Sequence, residues 1–144
     1  MITFTKAVLQ SSGYSEHNDC AVKAVAIACD VPYSIAHAVL KKNGRKARRG
    51  TIRSITFKSV EELGFKLKEV VHTAKTIDRL TTDASVQQGF YFAFVSRHIL
   101  TVVNGKVEDW TGRGSLRRVL RVFQVTPATT RKERAERIKQ IMKG

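Results

Sequence analysis

The sequence predicts an α+β domain, with helices first and an antiparallel sheet after them. Three observations carry that expectation. The first half holds segments with apolar residues at helical spacing, and one of them, Cys20 to Cys29, is apolar on nearly every side. The second half holds two aromatic and β-branched runs, 89–95 and 98–103, followed by the hairpin dipeptide Asn104-Gly105. A length of 144 residues with 42% hydrophobic content suits one domain with one core.

In chain order, residues 2 to 9 read as a short strand or an extended arm, and Gly13 to Asp19 as a loop. Asn18 and Asp19 are good N-cap residues for a helix over Cys20 to Cys29. Pro32 suits the first turn of a second helix, whose apolar residues are Ile35, Ala36, Val39 and Leu40, and Gly44 suits its end. The run 44–51 is basic, bounded by glycines and without apolar period, so it reads as a loop. A third helix is expected over about Ile55 to Leu63, ending at Gly64, then a strand over Phe65 to Val71 and a helical turn over Thr76 to Leu80. The sheet is expected from 89–95, 98–103, the return strand Lys106 to Trp110, and a further strand over Arg117 to Val125. A charged helix over 131–143, with an apolar stripe of Ala135, Ile138, Ile141 and Met142, closes the chain. The expected division is an α+β domain over 1–126 and a basic helical tail over 127–144.

Composition narrows the function. No apolar run approaches the roughly 20 residues of a membrane span, and Met1 to Lys6 does not resemble a secretory signal, so a cytoplasmic protein without a membrane partner is expected. Cys20 and Cys29, nine residues apart on one helix, would be separated by roughly 13 Å of rise, too far for a disulfide. No Cys/His spacing suggests a metal, and no glycine-rich phosphate loop or helix-turn-helix signature is visible, so no metal or cofactor is expected. The net charge of +14, from 26 Lys and Arg against 12 Asp and Glu, points to an acidic partner: nucleic acid, an acidic protein surface or a phosphate-bearing ligand. Seven cations and no acid lie between Lys41 and Arg53: Lys41, Lys42, Arg45, Lys46, Arg48, Arg49 and Arg53. They are the candidate contact for that partner, with a solvated surface as the bland alternative. The tail helix nets +4.

Three residues suggest chemistry. A thiol at a helix N-terminus sits at the positive end of the helix dipole, which favours thiolate, and Cys20 has that position. His98 begins a strand. A turn at Asn104-Gly105 sets Val103 opposite Lys106, which puts His98 opposite Thr111 and makes Asp109 its diagonal neighbour on the same face, at roughly 5 to 8 Å. In that arrangement Asp109 orients the imidazole, the imidazole takes the Cys20 proton, and the thiolate attacks a carbonyl carbon. Backbone amides at the helix start, with the Asn18 side chain, stabilise the oxyanion.

The order of these residues resembles the papain-like cysteine peptidase superfamily, where a cysteine starting the central helix is followed by a histidine opening a strand and an Asp or Asn on the next. Small phage-encoded members are more similar still. They carry an Asn-Asp-Cys motif, an Ala-rich helix, a Pro-Tyr helix start and a Gly-Arg-Lys…Gly-Thr loop, here Asn18-Asp19-Cys20, Ala21 to Cys29, Pro32-Tyr33, Gly44-Arg45-Lys46 and Gly50-Thr51. The resemblance covers about residues 14 to 110. It implies a papain-like fold, a buried central helix against an antiparallel sheet, and an amide, peptide or isopeptide substrate. It also implies Cys20 as nucleophile, His98 as general base and acid, Asp109 as orienting carboxylate, and action in the host cytoplasm. Papain's oxyanion glutamine, about six residues before the cysteine, is Tyr14 here, which leaves Asn18 as the side-chain donor.

Other residues receive plainer readings. Cys29 reads as a core thiol, Trp110 as a core or shielding aromatic, and His37 and His72 as incidental; His17 competes with His98 as a base. The rival function is a non-catalytic scaffold of the same fold, holding nucleic acid or an acidic host protein through its positive charge.

Overall fold

A computed structural model describes residues 1–109 and 115–143. The expected Trp110 at the end of the return strand, and Thr111 opposite His98, lie outside the described residues. The chain forms two compact units, one of Met1–Lys66 with Pro127–Gly144 and one of Leu67–Thr126. The C-terminal segment, expected as an appended tail, therefore belongs to the same unit as the N-terminal helices.

The first unit is helical: α1 (Phe4–Ser11), α2 (Cys20–Ala28), α3 (Tyr33–Lys42), α4 (Arg53–Glu62) and α6 (Arg131–Lys143), numbered with α5 (Ile77–Leu80) of the second unit. Residues 2 to 9 are not a strand or arm. Thr3 caps α1 by accepting from the Lys6 amide, and that bond starts a helix where the Ile-Thr-Phe-Thr composition reads as extended. α2 is buried from Ala21 to Ala28 except at Lys23 and contacts α1, α3 and α4. That all-round burial is what its nearly uniform apolar sequence requires. Pro32 precedes α3 in an extended conformation, and Gly44 follows it at φ +115°, a left-handed position that favours glycine.

The α6 seam differs from the expected stripe. Ile141 is buried and Ile138 and Arg134 are half-buried, while Ala135 and Met142 are exposed. Arg134 lies over the Phe65 ring at 5.4 Å, and Arg137 donates to the Glu61 and Glu62 carbonyls at 3.0 and 3.3 Å. An arginine stem thus takes a place an apolar count assigns to alanine.

The second unit holds most of a five-stranded sheet, order β1-β5-β2-β3-β4, from β1 (Phe65–Glu69), β2 (Phe90–Val95), β3 (His98–Val103), β4 (Lys106–Glu108) and β5 (Arg121–Pro127). The β2–β3, β2–β5 and β3–β4 pairings are antiparallel. The architecture is α+β, as the sequence predicts. β5 starts later than expected, because residues before it pair with the 75–78 segment: Val119 N–H donates to Lys75 O at 2.9 Å and Ile77 N–H to Arg117 O at 3.0 Å. One face of the sheet presents Tyr91, Ala93, Val95, Leu100, Val102 and Val122, packed with Ile77 and Leu80 of α5. Asn104 and Gly105 both have positive φ, +50° and +78°, as a type I′ hairpin turn requires. They set Val103 opposite Lys106 and fix the register of β3 and β4.

Among the described residues no single helix is long and apolar enough to cross a membrane, and the α2–α3 pair that passes by composition is bent by 117°.

Candidate functional site

Cys20 is the first residue of α2, half-buried and not in a disulfide. Asp19 occupies the N-cap position, yet its side chain does not cap the helix. Its carboxylate is buried instead, accepting from the Tyr33 hydroxyl at 2.8 Å and from Lys23 Nζ at 2.9 Å. The negative charge beside Cys20 is thereby neutralised, and the first turn of the helix is not closed by a carboxylate. Burial and the bond to Asp19 both push the Tyr33 hydroxyl pKa up, so it remains a donor.

Asn18 sits at φ +58°, a left-handed conformation that asparagine tolerates better than most residues. Its Nδ2 donates to Arg48 O at 3.4 Å. This engages the expected oxyanion donor with the basic loop. Tyr14, where papain has its glutamine, packs its ring edge-on to Tyr33 at 4.9 Å and tilted against His37 at 4.7 Å.

The largest departure from the sequence reading is at Glu16. Its carboxylate accepts from Arg45 Nη1 and Nη2 at 3.0 and 3.2 Å, from the Arg48 amide at 2.6 Å, and contacts His37 Nε2 at 2.7 Å. The Glu16 and Arg45 side chains are each 2% exposed. Arg45 is therefore not a surface cation, and His37 is not incidental. The Arg45 guanidinium holds the Glu16 carboxyl down at about 2, well below the usual carboxylate range. His72 has a partner too, with Nδ1 at 2.9 Å from Ala74 O. Of the other predicted loop cations, Lys41, Lys42, Lys46, Arg48, Arg49 and Arg53 are exposed, and Lys42 pairs with Glu62 at 2.6 Å.

In the second unit the hairpin brings His98 and Asp109 together. His98 Nε2 lies 2.8 Å from Asp109 Oδ2, with side chains 14% and 5% exposed. A carboxylate only accepts, so Nε2 carries the proton, and in the neutral ring Nδ1 is the proton-accepting nitrogen. The pair follows from the turn. His98 opens β3, and Asp109 follows the last residue of β4, whose register the Asn104-Gly105 turn sets by placing Val103 opposite Lys106. His98 is paired with Val95 in the sheet, and Asp109 lies one residue past the last paired residue of β4, Glu108.

Cys29 closes α2 and is 3% exposed. Burial pushes its thiol pKa up. His17 is exposed. Among the described residues no group of three or more His, Cys, Asp and Glu side chains is arranged to hold a metal ion. No protein-family model matches this chain, and no curated protein and no solved structure matches it.

Proposed function

We propose that this chain is a papain-like thiol hydrolase, of the kind encoded by phages and acting in the host cytoplasm, that cleaves an amide or isopeptide bond. The observation that carries the reading is the sheltered His98–Asp109 pair, with the Nε2 proton directed at the carboxylate. In the proposed reaction Nδ1 takes the Cys20 proton and the sulfur adds to the carbonyl carbon. The C–N bond then breaks, and the amine leaves with the proton from the imidazolium. Water, deprotonated by the same nitrogen, cleaves the thioester, releasing the acid and restoring the thiol. Backbone amides at the start of α2 serve the oxyanion. Asn18 joins them only by exchanging its bond to Arg48 O.

The first test is labelling with iodoacetamide near neutral pH. Cys20 is expected to react at least about 100-fold faster than Cys29, whose burial disfavours the thiolate. Equal, slow labelling of both contradicts the hydrolase.

A second reading has its own support. The first unit carries 17 Lys and Arg against 7 Asp and Glu, a net of +10, while the second nets +4 from 9 against 5. A non-catalytic scaffold would use that charge to hold nucleic acid or an acidic host protein. Nucleic-acid retention falling steeply with salt, together with slow labelling of Cys20, would favour it.

A further inference from the structure

We infer that the exposed cations of the 46–49 turn make Cys20 selective for acyl groups bearing a negative charge, specifically peptides with Asp or Glu beside the scissile amide. The inference rests on Cys20 being the reacting group, as proposed above, and adds the class of substrate. Lys46, Arg48 and Arg49 are exposed. They stand on a backbone that is tied down, since Arg49 N–H donates to Lys46 O at 3.2 Å and Arg48 N–H to the Glu16 carboxylate at 2.6 Å. Arg45, inside the same loop, anchors it through two bonds to that carboxylate. The loop backbone is thus held around one buried acid, with these three cations exposed on it.

The loop lies beside the start of α2. Asn18 donates to Arg48 O at 3.4 Å, and Asp19 alone separates Asn18 from Cys20, at most about 7 Å along the chain. The acids nearest Cys20 in sequence do not offset the charge. Glu16 is matched by Arg45, and Asp19 by Lys23. The positive end of the α2 dipole adds to the same field. A peptide is favoured over nucleic acid because residues 43–53 contain no aromatic side chain on which a base would stack.

Two reagents of nearly equal size test this, iodoacetate, an anion, and iodoacetamide, which is neutral. Their rate ratio at Cys20, read by mass spectrometry of the Cys20 peptide, cancels the thiolate fraction and reports the local field. The ratio is expected to fall about fivefold in the Arg48→Gln/Arg49→Gln variant, and by a similar factor in the unaltered protein between 20 mM and 300 mM salt, both as orders of magnitude. The salt arm needs no substitution and stands even if the variant folds poorly. A hexaglutamate peptide is expected to slow the iodoacetamide reaction at concentrations where a single-stranded oligonucleotide of equal charge does not. A ratio unchanged by both substitution and salt overturns the inference. So does protection by the oligonucleotide at an equal or lower concentration, or a Cys20 inert to both reagents. His98→Ala is expected to slow both reagents and leave their ratio intact, so failure of the hydrolase reading and failure of this one give different results.

Discussion

Glu16→Ala is expected to destabilise the protein by about 3–5 kcal/mol, the cost of leaving a buried charge without its partner. The Arg45 side chain is 2% exposed and gives two hydrogen bonds to Glu16, and Arg48 N–H and His37 use the same carboxylate. Arg45→Ala should cost a similar amount by stranding the carboxylate. The double variant should lose less than the sum, because each single change already removes the pair. Urea unfolding monitored by circular dichroism measures all three. A loss under about 1 kcal/mol, as for an exposed pair such as Lys42–Glu62, would contradict the account. The pH dependence has a defined sign. The Glu16 carboxyl is held at about 2, below its unfolded value of about 4.3. Its contribution is therefore full above about pH 4.3 and is lost as pH falls towards 2, a total of about 3 kcal/mol. Glu16→Ala should flatten the stability profile in that acid window.

His98→Ala is expected to lower any amide hydrolysis by about 10²- to 10⁴-fold, the range for loss of a positioned general base, and the alkylation of Cys20 near pH 7 by up to about 30-fold through its thiolate fraction. Asp109→Asn should be milder than Asp109→Ala. An asparagine oxygen still accepts from His98 Nε2 and keeps Nδ1 unprotonated, whereas alanine leaves the tautomer and ring orientation unfixed. Single-turnover acylation by a thiol-directed amide substrate separates the variants, and circular dichroism confirms that the sheet survives. If Asp109→Ala retained full reactivity, Asp109 would not be an orienting group.

The parts of this molecule that local rules govern were legible in the sequence. Asn104-Gly105 demands left-handed backbone at both residues, and once that turn is set, the β3–β4 register and the meeting of His98 with Asp109 follow by counting. The buried α2 helix was readable from its apolar run, and the end of α3 from Gly44. What was hidden depends on residues far apart in the chain. Glu16 meets His37 across 21 residues and Arg45 across 29, and nothing in the run 44–51 distinguishes the one buried arginine from its exposed neighbours. The placement of 127–143 with the N-terminal helices turns on Thr129 Oγ1 donating to Gly64 O and on Arg137 reaching the end of α4, contacts 65 and more residues apart. α1 lies where the β-branched composition favours an extended chain, and the Thr3 cap, accepting from the Lys6 amide, is visible only in the structure. The N-cap position of Asp19 is local and legible, whereas the commitment of its side chain to Tyr33 and Lys23 is made in tertiary packing.

The most direct measurement is the pH dependence of iodoacetamide alkylation at Cys20, followed from pH 4 to 10 in the unaltered protein and in His98→Ala. If the imidazole draws the proton from the sulfur, the rate should rise with an apparent pKa at least about two units below the 8.5 of an ordinary thiol, and should move up towards 8.5 when the imidazole is removed. An ordinary thiol profile in the unaltered protein, or one unmoved by His98→Ala, would contradict the assignment of Cys20 and His98 as nucleophile and base.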